Sequence, residues 1–148
     1  MQYRAFGNTG VEVSVLGYGC GAVGGLMVRG EHPDMLRTVE YALESGINYF
    51  DTARMYGDGL SEIHTGAVLR ELGAHDALVG TKVRLSAAEF GNIEEVIEAQ
   101  IDNSLQRMGR DNVDIVYTHN SIGAASNPDG GQLGLDDLER IVGVFNRA

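Results

Sequence analysis

Apolar residues in this chain change their period again and again, and that alternation is what most restricts the fold. Short apolar runs that suit strands alternate with longer stretches at helical spacing, most of them closed by glycine. The opening segment YRAFGNTGVEVSVLGYG places Val11, Val13 and Val15 at every second position after a turn at Asn8, Thr9 and Gly10, the pattern of a hairpin running into a buried strand. Pro33, Met35, Leu36, Val39, Ala42 and Leu43 then predict a helix over 33–45, stopped by Gly46. Ile47 to Phe50 predict a strand ending at Asp51. The next helix is expected to be capped by the Ser61 hydroxyl and to run to a stop at Gly73, with a strand over Ala77 to Val83 after it. Asn92 and Glu95 resemble a capping box for a helix carrying Ile93, Val96, Ile97, Ile101, Leu105 and Met108 on one face up to Gly109. A strand over Val113 to His119, a polar loop over 120–134 and a helix on Leu135, Leu138, Ile141, Val142 and Phe145 complete the order.

A hairpin followed by four strand-and-helix units implies an α/β fold, because a strand that leads into a crossover helix returns parallel to its neighbour. Two architectures satisfy that rule, an open doubly wound sheet and a closed eight-unit barrel. A complete barrel needs about 250 residues, so four units would be roughly half of one.

Composition narrows the partners. Lys plus Arg number 11 against 21 for Asp plus Glu, a formal charge of −10, the wrong sign for a surface that follows a phosphate backbone. Nucleic acid is therefore not expected, and no apolar run approaches a membrane span. The single cysteine, Cys20, excludes a disulfide framework within the chain and any multi-cysteine zinc site. With no export pattern in MQYRAFGNTG, the expected location is cytoplasmic.

Chemistry concentrates at the ends of the strand-like runs. Asp51 closes one, Lys82 lies at the end of the next in GTKV, and His119 closes a third in VYTHN, with Tyr56 in the loop between the first two. Ligands bind at the carboxyl ends of parallel strands in both architectures. These four residue types suit proton transfer at a carbonyl oxygen. A phenol is a weak acid near neutral pH, a neighbouring ammonium eases loss of its proton, a carboxylate holds that ammonium charged, and an imidazole can orient the substrate oxygen. Each has a plainer role: a structural Asp–Lys pair, an aromatic at the core edge, a satisfied histidine. His32, His64 and His75 have no comparable setting and are expected to be solvated. Gly19, Gly21 and Gly24 match G-x-G-x-x-G after a strand, but the helical signal begins only near Pro33, later than a dinucleotide-binding turn requires.

The runs YRAFGNTGVEVSVLGYG, GINYFDTARMYGDGLSEIHTG, TKV and SLQRMGRDNVDIVYTHN together resemble the amino-terminal half of the aldo-keto reductase family. The resemblance implies a (βα)8 TIM-type barrel, represented over residues 1–148 by a hairpin and about four βα units, with the second half of the barrel absent. It implies NADPH-dependent reduction of an aldehyde or ketone with no metal, and its catalytic tetrad falls on Asp51, Tyr56, Lys82 and His119. Of the cofactor contacts, those carried over are Asp51 and the backbone near Gly21 and Ala22; the others lie in the second half. The expected partner is a small carbonyl compound. A half-barrel would also expose unpaired sheet edges, through which two copies could form a homodimer; a non-catalytic half-barrel that associates in this way is the alternative reading.

Overall fold

The computed structural model describes residues 1–21 and 25–146. Two compact units are distinguishable, Met1–Thr81 with Ser104–Val116, and Lys82–Asn103 with the residues from Tyr117 onward.

In the first unit the hairpin forms as the alternation predicts, from β1 (Tyr3–Ala5) and β2 (Glu12–Ser14), antiparallel with Tyr3 opposite Ser14. Its anchoring differs from expectation. Val15 and the adjacent Leu16 are 55% and 60% exposed, whereas Ser14 is buried. Asn48 explains this: its Oδ1 accepts from Ser14 N (2.7 Å), its N–H donates to Ser14 Oγ (3.2 Å) and its Nδ2 donates to Glu12 O (2.9 Å). The ribbon is thus docked by an amide side chain rather than by its valines.

Four strands follow in chain order within one sheet: β3 (Tyr18–Gly19), β4 (Tyr49–Asp51), β5 (Leu78–Val83) and β6 (Ile115–Thr118). The first three pair in parallel, with Asp51 opposite both Gly19 and Gly80. Bonds from Asp114 N to Val79 O (3.0 Å) and from His119 N to Val83 O (2.7 Å) ascend together in both segments, so β6 is parallel as well. The sheet is the one that repeated strand-and-helix units require.

Among the described residues, three helices belong wholly to this unit: α1 (Leu26–Arg29), α2 (His32–Glu44) and α3 (Leu60–Glu71). Pro33 sits in the first turn of α2, and Gly46 closes it at φ 85°. Met35 and Val39 of α2, Val68 and Leu69 of α3, Phe50 and Val79 of the sheet, and Met27 and Met108 form one core cluster. Burying each such side chain contributes about 1.5–3 kcal/mol. The helix α1 is absent from the periodicity because four residues are too few to show a period. Its presence close behind the glycine-rich run removes the objection that helix begins only near Pro33; Gly24 itself lies outside the described residues.

The helix α4 (Ile93–Met108) runs from the second unit into the first. Asn92 does not cap it. The capping box belongs instead to Ser86 and Glu89, at the start of a 3-10 turn over Ala87–Asn92 that continues into α4. In the second unit Leu85, Phe90, Ile93, Ile97, Ile101, Leu133, Ile141 and Val144 are buried. The segment expected as open loop carries a short parallel pair, β7 (Ser121–Ile122) with β8 (Gln132–Leu133), before α5 (Leu135–Phe145). The first free amide of α5, Gly134 N, donates to Asp137 Oδ2 at 2.9 Å. Among the described residues no helix is long and apolar enough to cross a membrane, and no three metal-ligating side chains cluster.

Candidate active site

Asp51 is the last residue of β4, where the apolar run predicted it. Tyr49, two residues earlier on the same face, donates a long hydrogen bond from its phenol to Asp51 Oδ1 (3.3 Å). That reach depends on Gly80, the residue opposite Asp51: any β-carbon there would occupy the space of the Tyr49 ring. The backbone around Asp51 is held on both sides, by Cys20 N to Asp51 O and Thr52 N to Gly80 O, each 2.9 Å. Tyr49 was not singled out by sequence, since a tyrosine inside an apolar run reads as core.

Tyr56 lies on the loop between β4 and α3. Gly57, Asp58 and Gly59 follow it with φ of 63°, 52° and 93°, three left-handed residues in succession, and this turn redirects the chain into α3. Only glycine adopts such angles without penalty, and Asp tolerates them better than most. Gly57 also packs against Val28 of α1 with no room for a side chain. A methyl group on Gly21 would lie 3.8 Å from Cε2 and Cζ of the Tyr56 ring, so the bare backbone of Gly21 leaves the space beside the phenol open. In this unit, then, Gly21, Asp51 and Tyr56 come together at the carboxyl end of β3 and β4. Ala22 lies outside the described residues.

Ser61 does not cap α3; Gly59 occupies that position. The Ser61 side chain is buried, its Oγ donating to Cys20 O (2.8 Å) and lying 2.8 Å from Thr52 Oγ1. One residue on, Glu62 is wholly buried and accepts from Thr81 Oγ1 (2.6 Å) and from Arg107 Nε (2.5 Å). A buried carboxylate needs such partners, because desolvation would otherwise cost several kcal/mol. His64 is also not solvated as expected: its Nδ1 lies 2.9 Å from Met27 O, and since a carbonyl only accepts, Nδ1 is the donor. It pins α1 to α3. His32 instead pairs with Glu71 at the surface (2.9 Å), and His75 is exposed as expected. Nearby, burial first and the Cys20 thiol second raise the Tyr18 phenol above its ordinary pKa.

In the second unit Lys82 is the penultimate residue of β5 and half-buried, two positions after Gly80 and so on the same face of that strand. His119 follows the last residue of β6, and its N–H bonds Val83 O. Asn120 fixes the chain beyond it. Its Oδ1 accepts from Leu85 N (2.8 Å) and its Nδ2 donates to Leu85 O (2.9 Å) and Gly131 O (3.0 Å), imitating a paired strand. Each of the four proton-handling candidates therefore sits at, or one loop beyond, the carboxyl end of its strand.

The aldo/keto reductase family pattern matches residues 15–142. The chain is 37% identical over 121 residues to L-galactose dehydrogenase of Arabidopsis thaliana, covering 80% of this chain and 38% of that protein. It is 33% identical over 126 residues to an aldo-keto reductase of Bacillus subtilis, with the same two coverages. Among solved structures, an aldo-keto reductase of Bacillus halodurans in its holo form matches 99% of this chain and 46% of its own, with 25% identity and a TM-score of 0.71. One from Klebsiella pneumoniae, in complex with NADPH, shares the fold at a TM-score of 0.67 and 20% identity over 92% of this chain and 41% of its own. The chain thus spans well under half the length of these two curated relatives, and its hairpin and parallel units correspond to part of a (βα)8 barrel.

Proposed function

The chain belongs to the aldo-keto reductase family, and from that premise we propose that it carries the proton-transfer residues of an NADPH-dependent reductase of aldehydes or ketones. The observation that carries this reading is the Tyr56 phenol beside the side-chain-free Gly21, at the end of the strand that Asp51 closes. In this reading Tyr56 donates its proton to the carbonyl oxygen as negative charge develops there. Lys82, as an ammonium, favours the phenolate left behind, Asp51 keeps Lys82 charged, and His119 orients the substrate oxygen by a hydrogen bond. Tyr49 supports the scheme by holding the Asp51 carboxylate with its own phenol. The backbone at Gly21 and Ala22 and the Asp51 side chain would hold NADPH, which supplies the hydride when bound. The cytoplasm suits this chemistry and the buried Cys20 thiol.

A second reading is a non-catalytic half-barrel that pairs with another copy. It draws on the sheet order, in which β3 and β6 are the outermost strands among the described residues.

One experiment separates them. The 148-residue chain is titrated with NADPH by cofactor fluorescence at several protein concentrations, and carbonyl reduction is then assayed for it and for Tyr56→Phe. Saturable binding, with turnover reduced at least about a hundred-fold by Tyr56→Phe in a folded variant, supports the reductase. Undiminished turnover in that variant overturns the proton-donor role. Concentration-dependent dimers without cofactor binding favour the second reading.

A further inference from the structure

We propose that Ser61, acting with Thr52, is a positioning residue that sets the Tyr56 loop against the Cys20–Gly21 turn; the inference rests on the reading of Tyr56 as proton donor. A hydroxyl has one proton to give. Ser61 Oγ gives its own to Cys20 O at 2.8 Å, so the 2.8 Å contact with Thr52 is a bond donated by Thr52. The chain of bonds therefore runs in one direction, from Thr52 through Ser61 to the Cys20 carbonyl, with all three residues fully buried.

Ser61 thereby touches the segments that carry Asp51, Tyr56 and Gly21. Through Thr52 it holds the residue after Asp51. Its own N–H donates to Tyr56 O at 3.2 Å, fixing the backbone of the proton donor. Through Cys20 O it holds the residue before Gly21. Cys20 is gripped from both sides, because its N–H donates to Asp51 O at 2.9 Å. A trans peptide is planar, with its C=O and the following N–H pointing in opposite directions. With the Cys20 carbonyl directed at Ser61 of α3, the Gly21 N–H is held pointing away from that helix. The clamp sets the orientation of the amide beside the Tyr56 ring as well as the loop's distance from it. A serine serving only to cap a helix would have its hydroxyl on a first-turn amide, not on Cys20 and Thr52 of two neighbouring segments.

The test uses the 148-residue chain labelled with 13C at the tyrosine ζ carbon and 15N at glycine, with the Tyr56 signal assigned by its loss in Tyr56→Phe. Ser61→Ala and the isosteric Thr52→Val are expected to move the Tyr56 ζ-carbon signal, its pH titration and the Gly21 amide signal, while Tyr18 is unchanged. Thr52→Ser, which keeps the hydroxyl, is expected to restore them. Where turnover is measurable, kcat should fall roughly ten- to a hundred-fold with a much smaller change in KM. Unchanged Tyr56 and Gly21 signals in a folded variant overturn the proposal. So does failure of both variants to fold, which would make the clamp a stability element. Full turnover by Tyr56→Phe is a separate result, defeating the proton-donor reading on which the proposal rests.

Discussion

The helices α3 and α5 are nearly equal in length, 12 and 11 residues, but they bury opposite kinds of surface. On α3 the inward face begins with Ser61 and Glu62 and continues through Thr65 and Gly66 before any aliphatic side chain appears. On α5 the inward face is Ile141 and Val144, with Asp137 buried only where it caps the first turn. Buried polar groups are tolerated where they find partners, and for Ser61 and Glu62 those partners belong to other segments, Cys20, Thr52, Thr81 and Arg107, whereas the buried Thr65 hydroxyl makes no hydrogen bond. A helix that only needs to pack can be apolar. One that must hold a loop and two strand ends in place uses hydrogen bonds, because these fix direction as well as distance.

Three substitutions, in order of expected effect, would break or sharpen this contrast. Glu62→Ala removes the acceptor shared by Thr81 and Arg107 and leaves the guanidinium facing a vacated site. A loss of about 3–5 kcal/mol in urea unfolding is expected, as when a buried pair loses one member. A loss below about 1 kcal/mol would show that the polar face of α3 is passive. Ile141→Val on α5 trims one methylene from a buried side chain and should cost about 1 kcal/mol by the same measurement, with no change at Tyr56. Arg140→Ala should do least. Its bidentate pair with Glu94, 2.7 and 2.5 Å, raises the guanidinium pKa chiefly through that hydrogen bond, yet both side chains remain more than a third exposed. Water and salt screen such a pair, so the unfolding midpoint is expected to stay put, whereas the Arg107–Glu62 pair is shielded on its acidic side. A large shift for Arg140→Ala would erase the distinction.

The same contrast explains what could be read from sequence. The helix α4 shows a clean period, and Ile93, Ile97, Ile101 and Met108 of its expected apolar face are buried, whereas on α5 Ile141 is buried but Leu135 and Val142 of the expected face are exposed and Val144 is buried instead. Asp51, Lys82 and His119 were legible because a charged or imidazole side chain ends an otherwise apolar run, and Tyr56 because it stands among turn residues. Where polar side chains are buried, periodicity is silent or misleading. Ser61 read as a cap because a serine before an apolar stretch is the usual sign of one, and nothing in its neighbours reports that Cys20 and Thr52, 41 and 9 residues away, are waiting for its hydroxyl. Asn48, Glu62 and Asn120 escaped notice for the same reason, as their partners are distant in sequence. The elements α1, β7 and β8 are two to four residues long and carry too few side chains to establish a pattern.

The left-handed run after Tyr56 limits which sequences can occupy that turn. At Gly57 and Gly59 a side chain would meet an unfavourable backbone and also Val28 or Arg107, so both constraints exclude it. Asp58 lies between them, exposed, with a backbone angle that admits Asp, Asn or Gly and little else. The turn therefore has an alphabet of about three letters at one position and one letter at each of its neighbours. Sequence drift in this part of the molecule is confined to a single solvent-facing side chain, one residue removed from the phenol's successor in the chain.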